Sequence, residues 1–180
     1  MLIKAENTAA IIVDVQERLM PAMSGRETVQ KNICTLVKGL KILDIPMIVT
    51  QQYTKGIGMT EADVREALES DAYFDKTSFS CYGDANIKNA VDSLGKKVIL
   101  VCGTEAHVCV LQTCLELEEN GYTPVLVTDC IASRKDSDKK MGIKRAVQEG
   151  VRVTTYEAIL FELTKGAKHP DFKKISALIK

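Results

Sequence analysis

A chain of 180 residues, 46% hydrophobic and 27% charged, has the length and composition of one globular domain with a substantial core. Its 24 basic and 24 acidic residues cancel to a formal net charge of zero, so no nucleic-acid partner or anionic membrane surface is expected. No apolar run approaches the roughly 18 residues needed to cross a bilayer, so no membrane partner is expected either.

The first six residues, Met1-Leu2-Ile3-Lys4-Ala5-Glu6, have no signal-peptide layout, which points to a cytosolic protein. Ala9-Ala10-Ile11-Ile12-Val13 is a buried-strand run that ends directly in Asp14-Val15-Gln16. A carboxylate closing a core strand is costly to bury unless it is paired or used. After a loop with Pro21 and Gly25, apolar residues at Val29, Ile33, Leu36, Val37, Leu40 and Leu43 share one face and predict a helix over 28–43. Residues 46–50 read as a short buried strand and the polar stretch 51–59 as a loop over the sheet's carboxyl edge. Its Gly56-Ile57-Gly58 is no dinucleotide fingerprint, because the third glycine is missing and no helix follows the strand at once. Thr60-Glu61-Ala62-Asp63 has the form of a capping start to a short helix through Leu68. Residues 71–76 read as a strand, and Asp84 caps a helix that carries Ile87, Val91 and Leu94 and stops at Gly95.

The chain is organised around residues 97–121. Val98-Ile99-Leu100-Val101-Cys102 predicts a strand buried on both faces, broken at Gly103-Thr104. Residues 108–120 follow as a helix long enough for the crossover that parallel strands require. A further strand over 124–128 ends in Asp129, and a polar loop over 133–138 leads to a helix stopped by Gly150. The last strand covers 151–155, and helices over 157–163 and 172–179 close the chain. There is no internal repeat, low-complexity tract or linker, so residues 1–180 read as a single domain. The alternation predicts an α/β fold with a mostly parallel sheet of about six strands.

In open parallel sheets, sites form outside the carboxyl ends of strands where strand order reverses. Cys109 lies there, in the first turn of the helix after the central strand. Backbone N–H groups and the helix dipole at such a place favour a thiolate, lowering a thiol pKa from about 8.5. The alternative is a small core residue, as most cysteines are. If the first and fourth strands are neighbours, Asp14 meets Cys109, and Lys76 joins them if its segment lies on the same half-sheet. A carboxylate can take the thiol proton while an ammonium stabilises the resulting anions. Taken singly, Asp14 also reads as a turn residue and Lys76 as a surface cation. His107, two residues before Cys109, faces away or forms a wall. The six cysteines include no Cys-x-x-Cys pair and the two histidines lie far apart, so neither a disulfide framework nor a zinc site is expected.

Three segments resemble the isochorismatase-like cysteine hydrolases, and the likeness covers nearly the whole chain. Asp14-Val15-Gln16 is similar to that superfamily's aspartate motif, and Phe74-Asp75-Lys76-Thr77-Ser78-Phe79-Ser80 to its lysine motif. Residues 103–110, Gly-Thr-Glu-Ala-His-Val-Cys-Val, are similar to its nucleophile loop, and 50–60 to a subgroup of uncharacterised isochorismatase-domain proteins. The resemblance implies a Rossmann-like three-layer α/β/α sandwich with strand order 3-2-1-4-5-6. It also implies a Cys109-Asp14-Lys76 triad and a cis peptide at Thr104–Glu105. That peptide would turn the Glu105 N–H to join that of Cys109 in an oxyanion hole.

Departures from the relatives narrow the reading. Nicotinamidases carry metal-binding histidines after the second strand, whereas residues 50–60 contain none, so neither metal nor nicotinamidase activity is expected. Vinyl-ether-cleaving isochorismatases often lack the cysteine, and its presence tilts the chemistry towards attack on an acyl or imidoyl carbon. The expectation is therefore a hydrolase of a small amide or related C–N substrate, working through a thioester with no metal or other cofactor. Gln16, Leu19, Gln51, Gln52, Tyr53, Phe79 and His107 are expected to wall a pocket for a small neutral ligand. The rival is a catalytically silent or redox-responsive binding protein with the same fold. Apolar residues crowd the last two helices at Ile159, Leu160, Phe161 and Leu163 and at Phe172, Ile175, Leu178 and Ile179. Part of that surface is expected to be left exposed and to form a homo-oligomer.

Overall fold

The computed structural model describes residues 2–180. Six parallel strands form one sheet in the order β3-β2-β1-β4-β5-β6. β1 (Thr8–Val13) and β4 (Val98–Thr104) occupy the centre and are buried along their whole length. Their apolar, β-branched runs suit that place, because a parallel strand covered by helices on both faces has no polar side to show. β2 (Met47–Gln52) and β3 (Phe74–Lys76) extend the sheet one way, and β5 (Thr123–Ala132) and β6 (Arg152–Thr154) the other. Register pairs Val13 with both Thr50 and Gly103, so the carboxyl ends of β1, β2 and β4 lie level. Strand order reverses between β1 and β4, the place where α/β sheets open a crevice.

Alternate strand residues feed two cores. Ala10, Ile12, Leu100 and Val125 pack under α1 (Arg26–Ile42), α3 (Ala62–Leu68), α7 (Tyr156–Thr164) and α8 (Phe172–Ile179). Ala9, Ile11, Ile99 and Val101 pack under α4 (Ala85–Ser93), α5 (Cys109–Glu119) and α6 (Asp136–Gln148). The three layers and the strand order are those that the resemblance implied.

Several boundaries differ from the sequence reading, each for a tertiary reason. β2 continues to Gln52 because β3 pairs with Thr50, Gln51 and Gln52, and a single helical turn, α2 (Thr54–Ile57), follows it. β5 runs through Asp129 to Ala132, with an irregular register opposite Val101 and Gly103, so Asp129 lies inside the strand and not at its end. Thr60 caps no helix. It forms an isolated antiparallel bridge with Gln16, and its hydroxyl accepts from Gln51 Nε2 at 2.9 Å. Asp84 does cap α4, accepting from the N–H groups of Asn86 and Ile87.

The last two helices expose less apolar surface than their sequence suggests. Ile159, Leu160, Leu163 and Ile175 are buried in the α1-side core, Phe161, Leu178 and Ile179 are half-buried against it, and Phe172 is half-buried beside Phe161. A Cβ on Gly39 would stand 2.5 Å from Leu160, so the missing side chain lets α7 settle close on α1. The large exposed apolar residues lie elsewhere, among them Met141, Val147 and Val153.

Candidate active site

Asp14 follows β1 in a left-handed conformation, φ 48°, which turns its side chain out of strand alternation. Two threonines from flanking strands hold it there. Thr104 Oγ1 donates to the Asp14 carbonyl at 2.6 Å, and Thr50 Oγ1 donates to Oδ1 at 2.7 Å. Lys76, closing β3, donates from Nζ to Oδ2 at 2.8 Å, with neither side chain exposed. The same ammonium donates to Gln52 Oε1 at 2.6 Å and to the carbonyls of Ser78 and Phe79 at 3.1 Å each. Both carboxylate oxygens accept and neither donates, which is the arrangement of an ionised acid facing an ionised base.

Cys109 is the first residue of α5, 8% exposed, and its thiol faces the same carboxylate. The Thr104–Glu105 peptide is cis, and the N–H groups of Glu105 and Cys109 make no backbone hydrogen bond among the described residues. Asp14, Lys76 and Cys109 therefore come together from three separate strand ends.

The electrostatics bear on the expectation of a thiolate at Cys109. Burial, then the charge of Asp14, push the Cys109 thiol up to about 12, and Lys76 only partly offsets them. Burial and Asp14 thus oppose the lowering that the helix terminus alone suggested. Burial also raises Asp14 above the ordinary carboxylate value against the pull of Lys76. For Lys76 burial pulls down, but Asp14 and the thiols Cys81 and Cys109 outweigh it and raise the ammonium. Burial thus weighs against a further negative charge beside the Asp14–Lys76 pair.

The expected pocket walls divide. Tyr53 and Phe79 are 53% and 56% exposed, and both are tied to Lys76, through the Tyr53 N–H to its carbonyl and the Phe79 carbonyl to its ammonium. Gln52 reaches the site directly through Lys76. Gln16 does not act as a wall: fully buried, it donates to the carbonyls of Gln52 and Gly58 and accepts the Gln52 N–H, clamping the loop. Gln51 is likewise engaged within the loop, by Thr60 and Thr54. Leu19 packs against the α1-side core, across the sheet from the core that holds Cys109. His107 is half-buried with Nδ1 2.9 Å from Ser133 Oγ, so it braces the nucleophile loop against the end of β5.

Thr50, Thr104 and Cys81 escaped the sequence reading. A signal existed for Thr50, a hydroxyl closing the strand beside the one that Asp14 closes. No group of three or more His, Cys, Asp or Glu among the described residues is placed to hold a metal ion. No helix of the described residues is long and apolar enough to cross a membrane.

Comparison with known proteins agrees with this geometry. The model of the isochorismatase domain matches residues 8–158. The chain belongs to the isochorismatase family. Among this family's curated members, it is 34% identical over 178 residues to a secreted isochorismatase effector of Phytophthora sojae, covering 97% of this chain and 85% of that protein. It is 32% identical to isochorismatase domain-containing protein 2 of Danio rerio, covering 98% and 89%. Among solved structures, a MAR1 ribonuclease from Caenorhabditis elegans superposes with a TM-score of 0.93 at 34% identity, covering 99% of this chain and 92% of that one. Isochorismatase-family relatives of this kind make a hydrolase the natural class for the domain.

Proposed function

We propose that this isochorismatase-family domain is a metal-independent cysteine hydrolase of small amides or related C–N compounds, with Cys109, Asp14 and Lys76 as its catalytic triad. One observation carries the reading: a carboxylate with no exposure, ion-paired at 2.8 Å to an equally buried lysine, faces a thiol at a helix amino terminus. Burying such a pair is costly, and a fold that needed only packing would do as well with apolar residues there.

The chemistry follows from the charge balance. Asp14 takes the Cys109 proton as sulfur attacks the carbonyl carbon, so the negative charge passes from carboxylate to sulfur and on to the carbonyl oxygen. Lys76 remains beside the cluster throughout. The N–H groups of Glu105 and Cys109 receive the oxyanion. The intermediate collapses by breaking the C–N bond, the proton on Asp14 goes to the leaving amine, and a thioester remains. Water then gives a proton to Asp14 and attacks the thioester. The departing sulfur recovers that proton, and the acid is released. A thiol held at about 12 suits this scheme, because the thiolate forms only when substrate supplies a place for the charge.

Tyr53, Gln52, Phe79 and His107 are the proposed walls for a small, weakly polar substrate; Gln16, Leu19 and Gln51 act behind them. The proposed assembly is a closed homo-oligomer. The test is a turnover screen of amides, carbamoyl compounds, isochorismate and nicotinamide, with chelator present and Cys109→Ala as the blank. RNA belongs in the panel because the nematode relative is described as a ribonuclease. Hydrolysis of a small amide or carbamoyl compound by the wild type, lost in the folded variant, is the expected result. Activity that survives Cys109→Ala would overturn the mechanism.

A further inference from the structure

Two hydroxyls and a second thiol connect the base to the nucleophile through the interior. Thr50 Oγ1 donates to Asp14 Oδ1 at 2.7 Å, and a hydroxyl has only one hydrogen to give. Its contact with Cys81 Sγ at 3.5 Å therefore runs from the thiol to the hydroxyl. Thr113 repeats the pattern: its hydroxyl donates to the Cys109 carbonyl at 2.7 Å and accepts the Cys81 N–H at 2.9 Å. Thr50, Cys81 and Thr113 are all 0% exposed, so water does not compete for these bonds. Cys81 thus hangs between two threonines, one on the carboxylate of the base and one on the backbone of the nucleophile.

We propose that Thr50 is a positioning residue for the reaction, and that the chain Thr50–Cys81–Thr113 fixes the Asp14 carboxylate relative to the Cys109 thiol. This rests on the reading of Asp14 as base and Cys109 as nucleophile. Lys76 alone pins one carboxylate oxygen and leaves the plane of the group free to turn about it. The Thr50 hydroxyl on the other oxygen removes that freedom, and the Cys81 thiol fixes the hydroxyl in turn. Cys81 itself stays out of the chemistry, since its hydrogen is committed and it has no access to solvent. The ionisable groups facing Asp14 are Lys76 from β3, Cys109 from α5 and Cys81 from the segment before α4.

Loss of the Thr50 hydroxyl takes one donor from the carboxylate, and a carboxylate with fewer donors is a stronger base. The state with the proton on Asp14 and the charge on sulfur then gains population. This is read from the rate of Cys109 alkylation by iodoacetamide against pH, in the full chain, by peptide mass spectrometry. Sulfur displaces iodide from carbon in that step, and no turnover of an unknown substrate is involved. Thr50→Val should speed alkylation near neutral pH by up to about tenfold, the equivalent of one pKa unit, and move the acid limb upward. Thr50→Ser should restore the wild-type profile, and Cys81→Ala should shift it in the same direction by less. A Thr50→Val profile that superimposes on the wild type overturns the proposal, even if the variant is less stable. Should Thr50→Val not fold, Cys81→Ala decides, because it keeps the hydroxyl and removes its donor; an unmoved profile there overturns the proposal equally. Asp14→Asn separates the two levels. If it leaves the profile unchanged, the base assignment itself falls; if it moves the profile while the other variants do not, only the role of Thr50 falls.

Discussion

The three Lys76 Nζ hydrogens are shared among four protein acceptors, Asp14 the one charged among them, and the side chain is out of solvent. Removing it while keeping Asp14 leaves a buried carboxylate with only the Thr50 hydroxyl and the neighbouring thiols. Lys76→Met should therefore cost about 3–5 kcal/mol at pH 7, measured by urea unfolding. The sign of its pH dependence follows. Asp14 is already raised by burial, and losing Lys76 raises it further. A carboxyl whose folded pKa exceeds its unfolded value binds its proton more tightly when folded, so its contribution is full below the unfolded value and is lost as pH rises through the folded one. The deficit of Lys76→Met against the wild type should thus shrink as pH falls from 7 towards 4. A deficit independent of pH would show that Asp14 is not the group left uncompensated. At this scale the sequence displayed Asp14 and Lys76 at strand ends and Cys109 at a helix start, but hid the groups that support them. A threonine or glutamine at the same strand ends reads as ordinary polar loop chemistry until the register puts Thr50 opposite Val13.

The two central strands meet so closely that one side chain had to be absent. A Cβ on Gly103 would stand 2.0 Å from the Val13 carbonyl oxygen, and its φ of 114° is one that L residues rarely adopt. Gly103 is also the last turn of backbone before Thr104 and the nucleophile loop. Gly103→Ala should cost more than about 3 kcal/mol in urea unfolding, since the obstacle is backbone and cannot rotate away. Gly25→Ala is the matched control: φ is 67°, nothing lies within 4 Å, and the left-handed conformation alone costs about 1–2 kcal/mol. Equal losses at the two sites would contradict the close approach. Hydrophobic runs and caps made the elements legible in sequence, including the helix capped by Asp84. Their ends were not, because β2 and β5 are prolonged by pairing with neighbours that local sequence does not show.

For the whole molecule, alternation of strand and helix was enough for a parallel α/β sheet, while the strand order came from resemblance and not from periodicity. The last two helices spend most of their apolar surface on the core; apolar content does not say which face a helix turns inward. With α7 and α8 seated on α1, we propose the exposed apolar residues of α6 and the edge strand β6 as the assembly face: Met141, Val147 and Val153, 61%, 50% and 47% exposed. A short edge strand bordered by such residues is a natural place for a symmetric partner. Light scattering should return an integral multiple of 19.8 kDa, reduced by Met141→Lys combined with Val153→Lys. A single-chain mass throughout the micromolar range would contradict it.

The proposed chemistry requires a covalent bond to Cys109 during turnover. Once the screen yields an amide substrate, hydroxylamine added to the reaction should divert acyl groups to hydroxamate at the expense of acid. Acid-quenched wild-type protein should then carry the mass of the acyl group on the Cys109 peptide. Sustained hydrolysis with that peptide unmodified, and with no hydroxamate formed, would contradict the account.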